Sequence, residues 1–231
     1  MKLPTLAGIR SLYNRLWRYR RPRAVWEAWG RSYAADPYLS KHFPQDDWLR
    51  ETLTTRRAER VLEVGCGTGR LLDFLLHAWT NPHRPRVVGV DFSRSMLSAA
   101  RRVLGQSPGL ALSDAIALPF QSKSFQWIYT HGCLMHLRTR GAVSGALREL
   151  CRVAADGFLL IEETPPVGSE LPYPGFTPNG LAYYWDYEAL LSEAGCRVLE
   201  QRHFRNIETV GCWVVGLPTP DSSTRTRINF R

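Results

Sequence analysis

The sequence contains no apolar run of the roughly 18 residues that a membrane-spanning helix requires. Its first segment also lacks the short apolar core of a secretory signal, because arginines recur through it. From these two absences we expect a cytoplasmic protein. With 231 residues, the chain suffices for one α/β domain with modest extensions and a sizeable core.

Cysteine pairs and clusters of metal ligands are absent as well. The five cysteines are odd in number, scattered, and never arranged as C-x-x-C. They predict reduced, buried side chains rather than a disulfide framework or a zinc site. His77 and His83 also lack the spacing typical of metal ligands. We therefore expect no metal site.

Acidic residues are missing from the first 24 positions, and this absence locates the basic charge. The formal net charge is +9, of which residues 1–24 hold +7 and residues 218–231 hold +2. Residues 25–217 carry 20 basic and 20 acidic side chains. Because polyanion-binding enzymes present basic surfaces, the balanced body favours a small-molecule substrate. The basic ends leave RNA or protein as the alternative substrate, and a salt titration against RNA would distinguish the two.

Residues 60–70, RVLEVGCGTGR, hold the clearest pattern: strand-forming residues, alternate glycines, and then an apolar helix-like stretch. Glycines permit positive φ and close approach of a ligand, and a helix N-terminus offers free N–H groups. The pattern predicts a strand, a tight turn and a helix around a nucleotide-like ligand. A dinucleotide fingerprint would need glycine where Arg70 stands, and the Gly-Lys-Ser/Thr of a phosphate loop is missing.

A second short apolar strand, residues 87–90, ends at Asp91. A carboxylate at the carboxyl end of a strand beside a glycine turn can accept hydrogen bonds from both hydroxyls of a ribose. The alternative is that Asp91 only caps the helix expected at residues 93–103.

With these residues the chain resembles the class I S-adenosylmethionine-dependent methyltransferases, in particular type 11-like domains that act on quinones, lipids and secondary metabolites. Residues 63–69 are similar to the first motif of that family, VGVDFSRSML at 88–97 to the second, and DAIALPF at 114–120 to a third segment. The resemblance covers residues 56–217. It implies an α/β fold with a doubly wound, mostly parallel seven-stranded sheet of Rossmann-like type, an antiparallel last strand, and an N-terminal helical cap.

The resemblance also implies S-adenosylmethionine as methyl donor and S-adenosylhomocysteine as product. Glu63 would lie near the methionine ammonium through water, and Phe92 and Met96 would pack on the adenine. A buried Asp114 and the Ala115 N–H would bind the adenine edge. The full set of expected cofactor contacts is Glu63, Gly65, Cys66, Gly67, Gly69, Asp91, Phe92, Met96, Asp114, Ala115 and His131.

Catalytic residues are indicated less clearly, because methyl transfer needs chiefly the alignment of donor and acceptor. His136 follows the fourth strand, at the edge where open α/β sheets bind ligands, and histidine is the usual base near neutral pH. A structural histidine is the alternative. Tyr33 is the second candidate, since its aromatic-rich segment resembles the active-site lid of the family. A scaffold that binds the cofactor without catalysis remains the alternative to an enzyme.

Glu162 and Glu163 lie at the ligand edge of the sheet, and at most one of them is expected to contact the substrate, since neighbouring residues on a strand point to opposite sides. Asp156 and Gly157 are expected to turn the chain before a fifth strand at residues 158–161. The proline-rich loop at 165–179 is expected to form part of the acceptor pocket, with a plain connector as the alternative.

Three parts of the chain are predicted: a basic and aromatic helical extension and cap at 1–57, the methyltransferase domain at 58–217, and a polar, flexible tail at 218–231. Residues 3–23 predict a basic amphipathic helix that ends at Pro22. This helix either packs on the domain or makes peripheral contact with an anionic membrane or substrate.

Overall fold

The computed structural model describes residues 22–32, 41–79, 84–105, 109–165, 175–176, 182–205 and 209–218. Tyr33, most of the predicted basic helix, most of the 165–179 loop and the tail beyond residue 218 lie outside these ranges. Within the ranges, no helix combines the length and apolar character needed to cross a bilayer.

Helices and strands alternate along most of the described chain. The helices are α1 Pro22–Ser32, α2 Pro44–Thr55, α3 Arg70–Ala78, α4 Arg94–Leu104, α5 Arg140–Val153 and α6 Tyr187–Glu193, with a 3-10 turn at Leu134–His136. The strands are β1 Arg60–Val64, β2 Arg86–Asp91, β3 Gly109–Leu112, β4 Phe125–His131, β5 Ala154–Glu163, β6 Gly175–Phe176, β7 Tyr183–Tyr184, β8 Arg197–Arg205 and β9 Thr209–Gly216.

Seven of the strands form one sheet in the order β3-β2-β1-β4-β5-β9-β8. Strands β1 to β5 are parallel, and β9 pairs antiparallel with both β5 and β8. This is the predicted doubly wound sheet with an antiparallel last strand. Because β2 and β4 lie on opposite sides of β1, the strand order reverses at the carboxyl end of β1. Open α/β sheets bind their ligands at such a point.

Two apolar cores cover the sheet, and alternate residues of the central strands contribute to each. Leu62 and Ile128 join one core with α5 and α6, whereas Val61 and Tyr129 join the other with α2 and α3. The central strands are therefore buried on both faces, as expected of parallel strands with nearly continuous apolar sequences.

Pro22, predicted to end a helix, begins α1, and Pro44 likewise lies in the first turn of α2. Proline is tolerated in a first helical turn because the N–H that it lacks has no partner there. The predicted helix before Pro22 lies outside the described residues, so its end at Pro22 stays a prediction.

Asp156 and Gly157, predicted to turn the chain, lie within β5. A Cβ on Gly157 would lie 2.5 Å from the Val215 carbonyl oxygen and 2.8 Å from the Trp127 ring. The glycine therefore permits close packing between β4, β5 and β9. This explains why the prediction of a turn is wrong.

Candidate functional site

The glycine turn follows β1 at the point where the strand order reverses. Gly65, Gly67 and Gly69 have φ of +79°, +53° and +84°, so all three are in the region that side chains disfavour. The Gly65 and Cys66 N–H groups donate to the Val90 carbonyl at 2.8 and 2.9 Å, which fixes the turn to β2. A Cβ on Gly67 would meet no atom within 4 Å. This side of the turn is therefore open to a ligand.

Asp91 ends β2 and is buried. Its Oδ2 accepts the Gly67 N–H at 2.9 Å, and its Oδ1 accepts the Ser93 N–H at 2.8 Å. Burial raises the pKa of Asp91, while these amides act in the opposite direction. The N-cap of α4 is Ser93, whose Oγ accepts the Met96 N–H at 3.2 Å. The alternative that Asp91 is only a helix cap is therefore excluded, and its carboxylate retains lone pairs for further donors.

Glu63 lies on β1 beside Tyr129 of β4 and is 3% exposed. The Tyr129 hydroxyl donates to Glu63 Oε2 at 3.0 Å. Burial raises the pKa of Glu63 to about 8, against the lowering effects of the Tyr129 hydrogen bond and the Arg70 charge. Glu63 is therefore mostly protonated near neutral pH, and a cation placed beside it would favour its ionised form.

A buried ion pair, which the sequence analysis missed, ties α2 to the start of α3. Arg70 Nη1 and Nη2 donate to the two carboxylate oxygens of Asp46 at 2.6 and 3.1 Å. The Asp46 side chain is 0% exposed and that of Arg70 is 10% exposed. Asp46 Oδ2 also accepts the Phe43 N–H at 3.0 Å, which closes the first turn of α2. The Phe-Pro-x-Asp sequence predicts the hydrogen bond between Phe43 and Asp46. No pattern near Asp46 in the sequence indicates that Arg70 is its ion-pair partner.

His131 ends β4 next to this ion pair. Its Nε2 is buried without a hydrogen bond and lies 3.9 Å from Asp46 Oδ1. Burial and the Arg70 charge lower the pKa of His131 to about 4, although Asp46 opposes them. The imidazole is therefore neutral near pH 7, and its role as a cofactor contact stays a prediction.

Glu162, on β5, holds the turn that follows β4. Its buried carboxylate accepts the Thr130 hydroxyl at 2.7 Å and the N–H groups of Cys133, Leu134 and Met135 at 3.2, 3.1 and 3.1 Å. Burial raises the pKa of Glu162 above its ordinary value, although these hydrogen bonds act to lower it. The oxygens of Glu162 therefore position residues 133–135, and the expectation that at most one of Glu162 and Glu163 contacts the substrate stays a prediction.

The residues expected around the adenine follow β2 and β3. Met96 is buried, and Ala115 is 9% exposed. Asp114, expected to be buried, is exposed, and its Oδ1 accepts the Ile116 N–H at 3.2 Å. The difference arises because β3 is the edge strand of the sheet, so that the residues after it have a neighbour on one side only. Its role toward adenine stays a prediction.

Helix α1 reaches from the end of β2 to the turn after β4. Glu27 accepts the Arg94 and Ser95 N–H groups at 2.8 and 3.1 Å. The small burial of Glu27 would raise its pKa, but these hydrogen bonds lower it overall. The ring of the adjacent Trp26 lies 4.7 Å from the His136 ring, centroid to centroid. Helix α1 therefore contacts the residues that follow Asp91 and the turn that follows β4.

Aromatic side chains gather around residues 134–137. Trp29 packs edge-on against Trp26 with centroids 5.1 Å apart, and the rings of Tyr183 and Trp185 stack at 5.6 Å. Trp185 Nε1 donates to the Leu137 carbonyl at 3.1 Å. We call this set the aromatic rim; it comprises Trp26, Trp29, His136, Tyr183 and Trp185.

Replacing Glu27 by alanine is expected to destabilise the protein by about 1 kcal/mol, because two N–H groups at the start of α4 lose their acceptor. Thermal unfolding at pH 7 measures the change. The control is Glu27→Gln, whose side-chain oxygen can still accept one of these hydrogen bonds and should lose less. If both variants unfold like the original protein, the docking of α1 on α4 does not depend on this carboxylate.

A separate cleft of about 540 Å³ lies near the amino ends of β4 and β5, between α2 and β8. Its lining includes Trp48, Arg56, Trp127, Asp156 and Arg202, and none of the predicted site residues. Across the described ranges, no group of three or more candidate metal ligands comes together.

Comparison with known proteins agrees with this geometry. Residues 61–157 match the family described as a methyltransferase domain. A demethylmenaquinone methyltransferase of Symbiobacterium thermophilum is 31% identical over 167 residues, which is 69% of this chain and 56% of the relative. A trans-aconitate 2-methyltransferase of Methylobacterium nodulans is 26% identical over 163 residues, which is 60% of this chain and 58% of the relative. The chain thus spans little more than half the length of these curated relatives.

Among solved structures, the magnesium protoporphyrin IX methyltransferase of Synechocystis, crystallised with SAH, aligns with a TM-score of 0.63. The alignment covers 84% of this chain and 99% of that protein at 16% identity. The family match and the curated relatives confirm the predicted resemblance to methyltransferases, and this structural alignment confirms the predicted fold. At 16% identity, the structural similarity is evidence for the fold and not for the function.

Proposed function

We propose that this chain, whose residues 61–157 match the methyltransferase domain family, transfers the methyl group of S-adenosylmethionine to a small-molecule acceptor. The observation that carries the proposal is the buried Asp91 carboxylate, which joins the end of β2 to the glycine turn where the strand order reverses. A ribose-binding role fits that position. S-adenosylhomocysteine would be the second product.

The residues of the site suit the groups of this cofactor. Asp91 offers acceptors for the ribose hydroxyls, and the partly exposed Phe92 offers apolar surface for the adenine, while Met96 is buried in this structure. Glu63 can ionise beside the methionine ammonium. When bound, S-adenosylmethionine supplies an electrophilic methyl group on a leaving group that is already activated. The chain itself has chiefly to hold the acceptor in line with that methyl group and to exclude water.

The acceptor class follows from the aromatic rim and from the balanced charge of the body. Trp185 is buried, but the other rings of the rim are partly exposed and offer apolar contact surface with fixed geometry, which favours a quinone, lipid or secondary metabolite over a polyanion. The acceptors named for two relatives, demethylmenaquinone and trans-aconitate, are small molecules as well. For an acceptor that must lose a proton, His136 within the rim is the proposed base; Tyr33, outside the described residues, is the second candidate.

The finer predictions about place and partners belong to this proposal. We propose a cytoplasmic protein whose segment 1–23 contacts anionic membranes, which would bring the site close to a lipid-soluble acceptor. The support is the charge of the sequence: residues 1–24 hold seven basic side chains and no acid.

Asp91→Ala is expected to weaken S-adenosylmethionine binding at least tenfold, because hydrogen bonds to a charged group contribute about 1.5–3 kcal/mol. Titration calorimetry measures the affinity, and circular dichroism establishes that the variant is folded. The matched control is Asp156→Ala, which removes an exposed acid at the amino end of the sheet and should bind normally. If Asp91→Ala binds S-adenosylmethionine with unchanged affinity, the assignment of Asp91 to the ribose is contradicted.

Transfer itself is tested with cofactor labelled in the methyl group and a panel of quinones, phenols and lipids. We expect label in at least one organic product, and its loss with Asp91→Ala at low cofactor concentration. Tight cofactor binding without transfer to any member of the panel would favour a binding scaffold instead of an enzyme.

A further inference from the structure

Two cysteines outside the cofactor site lie in contact with each other. Cys151, near the end of α5, and Cys196, between α6 and β8, place their Sγ atoms 3.2 Å apart although 45 positions separate them in the sequence. A disulfide bond requires about 2.05 Å, so the sulfurs need to approach by only about 1.2 Å.

The contact between the two sulfurs is electrostatically asymmetric. The hydrogen bond from Cys151 lowers the pKa of the Cys196 thiol, whereas the same hydrogen bond and burial raise the pKa of Cys151. We therefore take Cys196 as the sulfur that attacks, since the thiolate is the nucleophilic form of cysteine. Cys196 is 8% exposed and Cys151 is half-buried, so a small oxidant is the kind that fits.

We propose that Cys151 and Cys196 form a reversible intramolecular disulfide when the protein meets hydrogen peroxide. The Cys196 sulfur attacks one peroxide oxygen, the O–O bond breaks, hydroxide leaves, and Cys196 becomes a sulfenic acid. The Cys151 sulfur then attacks the sulfenic sulfur, the S–O bond breaks, and water leaves with the Cys151 proton. The two thiols lose two electrons, and the peroxide is reduced to two waters once the hydroxide takes up the proton of the Cys196 thiol.

The bridge would join the end of α5 to the residue before β8. The segment that it encloses contains β5 with Glu162, which positions the turn after β4, and Trp185 of the aromatic rim. The modification site is independent of the proposed function, since neither sulfur belongs to the cofactor site.

The test uses the full chain, first reduced and then exposed to hydrogen peroxide. The protein is then unfolded in urea, remaining thiols are blocked with N-ethylmaleimide, and the digested protein is analysed by mass spectrometry without reduction. Of the five cysteines, two fewer should be blocked after oxidation, and one peptide pair should link positions 151 and 196. Dithiothreitol should restore all five. If all five remain blockable, or if the link joins other cysteines, the proposal is overturned.

Two variants separate the steps. In Cys151→Ser, the sulfenic acid has no resolving thiol, so dimedone should label Cys196 and the linked peptide should disappear. Cys212→Ser is the matched control, because it removes another buried cysteine and keeps the pair; it should give the same linked peptide as the original chain. Persistence of that peptide in Cys151→Ser would contradict the assignment of the pair.

Discussion

Replacing Asp46 by alanine is expected to lower the free energy of unfolding by about 3–5 kcal/mol, because it leaves the Arg70 guanidinium buried without its carboxylate. Asp46 is 0% exposed, and its oxygens accept from two nitrogens of Arg70 at 2.6 and 3.1 Å. The change also removes the acceptor of the Phe43 N–H at the start of α2. Equilibrium unfolding in urea measures the loss.

The neighbouring acid on the same helix is the matched control. Asp47 lies 3.0 Å from Arg50, and the two side chains are 38% and 32% exposed. Because surface ion pairs contribute little, Asp47→Ala should lose no more than about 1 kcal/mol. The double variant Asp46→Leu, Arg70→Met should recover much of the stability, since apolar side chains often replace a buried ion pair without loss. Equal small losses at Asp46 and Asp47 would contradict the prediction.

The arrangement of the sheet could be predicted from the sequence because its signals are local. The central parallel strands are short apolar runs, and the glycine turn and Asp91 mark where two of them end. The boundaries of strands and turns are predicted less well where contacts with distant parts of the chain decide the position of a residue. Gly157 is the example: its lack of a side chain suits strand packing against Val215 and Trp127, and nothing local separates that from a turn.

The local geometry of the candidate site was predictable to the same extent. Asp91 and the glycine turn were found because a motif holds them at fixed spacing. Asp46 and Glu27 were missed because their partners lie 24 and 67 positions away. The exposure of Asp114 depends on the place of β3 at the edge of the sheet, which spacing does not encode.

The two missed acids share one structural role. Asp46 fixes α2 to Arg70, the first residue of α3, and Glu27 fixes α1 to the first turn of α4. Helix α3 follows the glycine turn, and α4 follows Asp91. Helices α1 and α2, which belong to the predicted cap, are therefore attached to the two turns that are proposed to hold the cofactor, so movement of these helices would be coupled to the geometry of that site.

Glu63 gives this site a dependence on pH even without ligand. Its pKa is about 8 in the folded protein, against an ordinary value of 4.5. Between these values the folded protein binds a proton that the unfolded chain releases. The Glu63 contribution to stability is therefore fully present below about pH 4.5 and is lost as the pH rises to about 8. Glu63→Gln keeps an acceptor for the Tyr129 hydroxyl and should lack this contribution to the pH profile.

The larger effect of Glu63 is expected on the cofactor. Positive charge placed beside Glu63 favours its ionised form, so binding should release a proton below pH 8. We expect the affinity for S-adenosylmethionine to rise about tenfold per pH unit between pH 6 and 8, or about a hundredfold in all, and then to level off. Calorimetry in two buffers of different ionisation enthalpy measures the affinity and the proton release together.

The ratio of affinities between the original protein and Glu63→Gln isolates this effect. The amino group of the ligand titrates in the same pH range, but it does so equally with both proteins and cancels in the ratio. His131 is already neutral throughout, since its pKa is about 4, and therefore adds no slope. If Glu63→Gln keeps the full slope, Glu63 is not the group that ionises, and the methionine end of the cofactor lies elsewhere.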